Sequence, residues 1–446
     1  MVLVLVTGAV YLNSFPGAFH FDDFALLLEN PDVTDPHFRL ASFLDQYGGR
    51  PLTLWTFHWN YRWAGSDPLP YHWIQLALHC LAAMAVYGFT TLLTDNRRVS
   101  MTTALLFALH PLQTQPVNYI WSRSMLLMAI FGLTAMILIR RRPWMALICF
   151  QLAIWSRTEA VVLLLLLLML DPKRWKGVAV VATVNVGGFI FGLLRGNPLE
   201  VGWNHPDVGG YYIAQPSALL KYVKLMFWPS GLHVDHDFQQ PHWPLVLLGI
   251  SALLGAVFLV WTLRHRAPMP ALGLLWLMTP FIPSWLIPNS DLFNESRAYL
   301  ALGGFAFLVS WVVWNTGPVH RFQPFRMGLA AFLMVAMIPT SLARNAIWKD
   351  DLALWRDAAR KSPSKARVRY NLGAALVRRG QTRPAEIEFR KAHHLNPRDD
   401  LSYAALGYCA ERGRRWEQAR ELYGWALKLN PSNRYARDAL LRIDFH

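Results

Sequence analysis

At 446 residues the chain has length for about three soluble domains, yet 54% of it is hydrophobic and only 16% charged, which excludes a cytosolic multidomain enzyme. Lys and Arg outnumber Asp and Glu by 43 to 28, a formal charge of +15. These basic residues stand between long apolar runs, so they report membrane topology before they report a nucleic-acid partner.

Crossing a bilayer takes about 20 mainly apolar residues, or fewer where helix ends are buried in protein. By that measure spans fall near 1–12, 72–93, 99–110, 124–139, 143–156, 158–170, 177–194, 243–263, 269–287, 298–314 and 325–342, about eleven in all. The first follows Met1 with no basic n-region and no clear cleavage site, so it reads as a retained span rather than a signal peptide. Arg97–Arg98, Arg140–Arg141–Arg142, Lys173–Arg174–Lys176, Arg264–Arg266 and Arg321–Arg326 occupy alternate connections. The positive-inside rule makes those loops cytoplasmic. Segments 13–71 and 195–242, the turns near 111–123 and 288–297, and everything after 342 then face outward.

The tail, 343–446, is a different kind of sequence from the bundle, 1–342. Pro363, Pro397 and Pro431 are 34 residues apart, as are Trp355, Phe389 and Tyr423, and Leu372–Gly373 returns as Leu406–Gly407. A 34-residue period with aromatic and small residues in fixed phase is the tetratricopeptide (TPR) signature of a stacked helical solenoid. The expected fold is therefore all-α, a polytopic bundle followed by a TPR array. The tail is basic, but its outward placement argues against nucleic acid and for anionic lipid headgroups as neighbours.

Candidate chemistry lies at the outward span ends. Asp22–Asp23 follows the first span, and paired carboxylates beside an apolar wall suit general-base work; capping of the segment Phe24 to Glu29 is the alternative. Arg50, Arg123, Arg157 and Arg297, with His110, form a cationic set. Each arginine alone can snorkel to lipid, whereas several converging would clamp a phosphate. Glu159 and Glu295, each two residues from Arg157 or Arg297, can instead neutralise them. His233-Val234-Asp235-His236-Asp237 is rich in metal-ligand types, but no fourth ligand at a defined spacing is visible, so a polar loop is expected and no metal is assigned. The three cysteines, Cys80, Cys149 and Cys409, form no CxxC pair. Walker, GxGxxG, GxSxG and HExxH motifs are absent, which leaves nucleotide-driven transport and serine hydrolysis without support.

In order along the chain stand Phe21–Asp22–Asp23, Glu29–Asn30–Pro31–Asp32, Arg50–Pro51–Leu52–Thr53, Leu109–His110–Pro111, Ser122–Arg123–Ser124, Arg157–Thr158–Glu159, Trp228–Pro229–Ser230, Pro280–Phe281–Ile282–Pro283 and Arg297–Ala298–Tyr299–Leu300. This series resembles the transmembrane-and-TPR O-mannosyltransferases, a branch of the GT-C glycosyltransferases, and their bacterial TPR-bearing relatives. The chain departs from their pattern at His110–Pro111–Leu112–Gln113–Thr114–Gln115, where the family tends to carry HPxHTE. It departs also at Glu295–Ser296–Arg297 in place of an adjacent Glu-Arg pair, and at Arg157 where Lys is usual.

The resemblance implies inverting transfer of a sugar, mannose or similar, from a polyprenyl-phosphate donor to Ser or Thr hydroxyls of proteins outside the cytoplasm. Asp22 would be the base and Asp23 its support. Arg297 and Arg157 first, then Arg50, Arg123 and His110, would hold the donor phosphate, with Glu159, Asp235 and His236 as a further polar cluster. Phosphate is already a good leaving group, so no metal or other cofactor is called for. The repeats would bind the acceptor polypeptide. Two other readings stay open: a GT-C enzyme acting on a lipid or cell-wall glycan, and a non-catalytic TPR scaffold. A bacterial inner membrane is favoured over the endoplasmic reticulum by the short loops and Arg/Leu/Ala-rich composition.

Overall fold

The computed structural model describes residues 1–35, 50–170, 207–238, 242–289, 291–315 and 322–443, with scattered positions between 173 and 183. Among the described residues every regular element is a helix. Six are long and apolar enough to cross a membrane: Pro68–Thr94, Ile120–Leu138, Trp243–Arg266, Pro268–Leu286, Glu295–Trp314 and Gln323–Ile347. Val2–Ser14, Pro143–Ser156 and Thr158–Leu170 are shorter apolar helices. The expected span at 99–110 is the short, largely buried helix Arg97–Leu109, and the one at 177–194, apart from residues 177, 179 and 183, lies outside the described residues.

Helix boundaries follow local chemistry. Pro51, Pro68, Pro143 and Pro268 each open a helix, where a missing N–H costs nothing. Asp67 and Asn96 cap the helices that follow them with side-chain oxygens. Contacts divide the chain into two units, Met1–Leu232 with Gln240–Trp348, and His233–Gln239 with Lys349–His446.

In the first unit Arg123–Leu138 packs on Pro143–Ser156, Pro68–Thr94 on Arg97–Leu109, and Pro268–Met278 on Ala298–Trp314. The last pair depends on Gly303 and Gly304, because a Cβ on either would run into the Trp276 ring or the Leu277 backbone. Asn345 ties three distant parts together, donating to Val10 O at 3.0 Å and accepting from Asn118 Nδ2 at 2.8 Å.

The second unit is a run of helices, Asp351–Lys361, Ala366–Arg378, Thr382–Leu395, Asp400–Arg412, Trp416–Leu429 and Arg434–Ile443. Their starts at 366, 400 and 434, and at 382 and 416, reproduce the 34-residue step. Gly373 and Gly407 recur because the Phe389 and Tyr423 rings lie where a Cβ would stand, at 2.6 and 2.7 Å. The segment 233–237, expected as a loop leading to the next span, is pinned within this unit. Arg367 forks onto Asp235 at 2.7 and 2.8 Å, Lys365 also pairs with it, and Ser362 Oγ meets His233 Nε2 at 2.7 Å.

Candidate functional site

The acidic pair sits on a strained turn. Phe21 has φ +52, a left-handed conformation rare for an aromatic residue, and the two carboxylates that follow it differ in burial. Asp22 is exposed and accepts the Tyr119 hydroxyl at 2.8 Å. Asp23 is fully buried and accepts the backbone N–H of His20 and of Trp121, both at 2.9 Å. Neither carboxylate caps the following turn Phe24–Leu28, so the capping alternative is not what the structure shows: Asp23, beside that turn, spends both oxygens elsewhere.

Burial pushes the Asp23 carboxyl up to about 7, against the opposing pull of the two amide bonds and His20, and the nearby Asp22 charge adds to the rise. Burial, followed by the charges of Asp23 and Asp22, raises the Tyr119 hydroxyl well above its ordinary range and keeps it a donor. Around the pair stands an aromatic wall. Phe21 meets Tyr119 edge-on at 5.5 Å, Tyr119 stacks on Trp348 at 6.2 Å, and the Trp348 carbonyl lies 2.7 Å from His20 Nε2.

Trp121 links this acidic turn to the cations. Its amide holds Asp23, and its ring lies 6.0 Å from the Arg50 guanidinium carbon. Arg157 occupies the extended residue between Pro143–Ser156 and Thr158–Leu163; it pairs with Glu159 at 2.5 Å and reaches Ser124 Oγ at 3.5 Å. Burial lowers its proton affinity to about 10; Glu159 opposes this, while the charges of Arg50 and Arg297 lower it further. Arg297, half-buried, donates to the Leu292 and Asp291 carbonyls at 3.1 and 2.7 Å. Three arginines from three distant segments therefore stand close enough to influence one another, and Arg50 among them reaches the acidic turn through Trp121.

The other two expected cations are differently placed. Arg123 is completely buried and donates to Gln75 Oε1 at 3.2 Å, Asn60 Oδ1 at 2.8 Å and the Thr56 carbonyl at 3.4 Å, with its guanidinium 4.2 Å from the Phe57 ring centre. His110 is buried between the Met226 carbonyl at 3.0 Å and the Leu112 N–H at 3.1 Å. Both are buried within the first unit and bonded to neighbouring segments of it. Glu295, expected beside Arg297, pairs with Arg344 at 3.7 Å, with both side chains buried. Of the expected polar cluster, Glu159 belongs to the first unit and Asp235 and His236 to the second. Burial would raise the proton affinity of Asp235, and its bonds from Arg367 and Lys365 more than reverse this.

Sequence reasoning missed Tyr119, Trp121, Arg344 and Trp348. A tyrosine, two tryptophans and an arginine at span ends are indistinguishable there from interfacial anchors, and no local spacing pairs them with residues up to hundreds of positions away.

Fold and site together define an all-helical, membrane-type bundle with acidic and guanidinium groups gathered at helix ends, joined to a 34-residue helix-pair array. No family model matches the chain. It is 24% identical to a nematode protein, Protein O-mannosyl-transferase F38B6.6 of Caenorhabditis elegans, over 89% of its own length and 62% of that protein. It is also 24% identical to human Protein O-mannosyl-transferase TMTC3, over 96% of this chain and 55% of the relative, and 23% identical to human TMTC1 over 90% and 56%. Its homologues are thus the proteins named protein O-mannosyl-transferases of the TMTC type, and the chain spans about 55–62% of the length of these curated relatives.

Proposed function

We propose that this chain transfers mannose from a polyprenyl-phosphate-linked donor to Ser or Thr hydroxyls of proteins, with inversion at the anomeric carbon. The observation that carries the reading is Trp121, which holds the acidic turn by its backbone and lies under Arg50 by its ring. The names of the homologues support sugar transfer onto protein. The basic loops support an outward-facing site and tail, and the short loops and Arg/Leu/Ala-rich composition support a bacterial inner membrane over the endoplasmic reticulum.

In the proposed reaction Asp22, exposed and oriented by Tyr119, accepts the proton of the acceptor hydroxyl. The hydroxyl oxygen forms its bond to the anomeric carbon from the face opposite the phosphate. The carbon–phosphate-oxygen bond breaks, its electron pair goes to that oxygen, and polyprenyl phosphate leaves. Negative charge grows on the departing phosphate, so Arg50, Arg157 and Arg297 contribute most in the transition state. Asp23 anchors the turn that presents Asp22, while Arg123 and His110 hold the framework. The repeat unit offers the surface for the acceptor polypeptide.

The test is reconstitution of the purified chain in vesicles with polyprenyl-phosphate mannose and a Ser/Thr peptide, read by a hexose mass increment. Transfer that disappears in Asp22→Asn supports the proposal. Transfer onto lipid or glycan but not peptide would move the acceptor to the second class. An Asp22→Asn variant as active as the parent would remove Asp22 from the chemistry.

A further inference from the structure

Helix Val208–Phe227 carries three tyrosines, and the hydroxyl of each donates to a backbone carbonyl on the stretch of chain that leads to Arg297. Tyr211 bonds Ser284 O at 2.8 Å, Tyr212 bonds Leu286 O at 2.9 Å and Tyr222 bonds Asn294 O at 2.8 Å. Tyr211 and Tyr222 are 11 residues apart, about 16 Å along the helix axis. Two of the acceptors belong to the end of the short helix Ile282–Leu286, where the last carbonyls have no intrahelical partner. Tyrosine suits the task, because its side chain has few torsions, a long reach and a hydroxyl that both donates and accepts.

Tyr222 makes the firmest hold. Its oxygen also accepts the Asn294 N–H at 3.1 Å, so it engages both backbone groups of one residue. That residue's side chain accepts the Ser296 N–H at 2.9 Å and caps the turn Glu295–Arg297. The Tyr222 ring stacks on Phe293 at 4.2 Å and packs on Phe281 at 4.6 Å. Arg297 donates back to the Leu292 and Asp291 carbonyls, so its guanidinium is fixed to the same stretch that the phenols fix to the helix. Burial pushes the Tyr222 hydroxyl up to about 12, which keeps it a donor, and the Arg297 charge beside it pulls the other way.

We propose that Tyr211, Tyr212 and Tyr222 are positioning residues for Arg297, and through it for the phosphate of the lipid-linked donor. A cation that is already in place when charge develops on a leaving phosphate needs no reorganisation at that moment. The three phenols supply that placement by gripping backbone, and none of them touches the donor. The placement of Arg297 stands on the hydrogen bonds alone, whereas its effect on the donor rests on the function proposed above.

The test compares the full chain with Tyr222→Phe in phosphatidylcholine nanodiscs, a substitution that removes the hydroxyl and keeps the ring contacts with Phe281 and Phe293. Amide hydrogen exchange, read by mass spectrometry, should rise about three- to tenfold over 291–297 and stay unchanged over 300–313. Unchanged exchange over 291–297 overturns the proposal. Affinity for polyprenyl phosphate should fall about three- to tenfold in Tyr222→Phe, and no further when Tyr222→Phe is added to Arg297→Ala. Losses that add, or a lower melting temperature with the parent's affinity, would overturn the proposal, because the phenol would then not act through Arg297. A parent chain that takes up no polyprenyl phosphate would remove the donor from this inference and from the proposed function together, while faster exchange over 291–297 would still establish the phenols as what holds Arg297. Should Tyr222→Phe not fold, Tyr212→Phe, half-buried and with a single bond, carries both measurements, with exchange read over 284–289.

Discussion

Tyr119 and Asp22, 97 residues apart in sequence, meet at 2.8 Å with the tyrosine donating, and the bond fixes the exposed carboxylate on a turn whose strain is stored at Phe21. A base held in one orientation is worth more to catalysis than the same group free to rotate. Removal of the Tyr119 hydroxyl is therefore expected to lower kcat about tenfold in Tyr119→Phe with little change in donor KM, the loss of one hydrogen bond to a charged group. Asp22→Asn is expected to lose at least about 100-fold. Steady-state transfer to peptide in vesicles measures both.

Asp23 makes stability depend on pH. Its folded carboxyl holds a proton more tightly than the ordinary value of 3.8, up to about 7, so it favours folding at acid pH, and that contribution is lost as pH rises from about 4 through about 7. The loss is of the order of a few kcal/mol. Thermal unfolding in detergent should show a higher midpoint at pH 5 than at pH 8, and Asp23→Asn should flatten the difference. An unchanged slope in that variant would assign the pH dependence to other groups.

Arg157 and Arg297 are expected to act on the donor phosphate. Arg157→Ala and Arg297→Ala should each lower kcat/KM for the donor by about 10- to 1000-fold; Arg157→Ala should also lower the melting temperature, because Glu159 loses its partner. Lysine at either position should restore only part of the rate, since an ammonium cannot fork onto two phosphate oxygens. Initial rates against donor concentration, with melting curves on the same samples, separate the two effects.

Arg123 should respond in the opposite way. Arg123→Ala removes the partner of Gln75 and Asn60 inside the bundle and should cost about 3–5 kcal/mol of stability. The expected readout is a large fall in melting temperature. Full stability with lost donor affinity would instead make it a phosphate ligand.

In the repeats, Gly373→Ala and Gly407→Ala place a methyl group against Phe389 and Tyr423. Each is expected to destabilise the second unit by about 1–3 kcal/mol. Limited proteolysis of the full chain should then cut preferentially within 349–443.

Composition and period alone determined the all-helical class, the position of most apolar helices, and the 34-residue step that returns in the helix starts at 366, 400 and 434. These are local or repeating properties: a hydrophobic run or a recurrent Leu-Gly pair signals its conformation through neighbours a few residues away. The sequence also brought forward Asp22, Asp23 and the arginines, because ionisable groups at span ends are few. Only the tertiary structure decided what each one does. Asp22 and Asp23 are chemically alike and adjacent, yet one backbone turn exposes the first and buries the second. Glu159 keeps its near neighbour Arg157, while Glu295 passes over Arg297 for Arg344. Arg123 is indistinguishable in sequence from Arg157 and differs by being enclosed between helices that meet only on folding. Partnership between groups tens to hundreds of residues apart is set by packing, and packing has no local period to read.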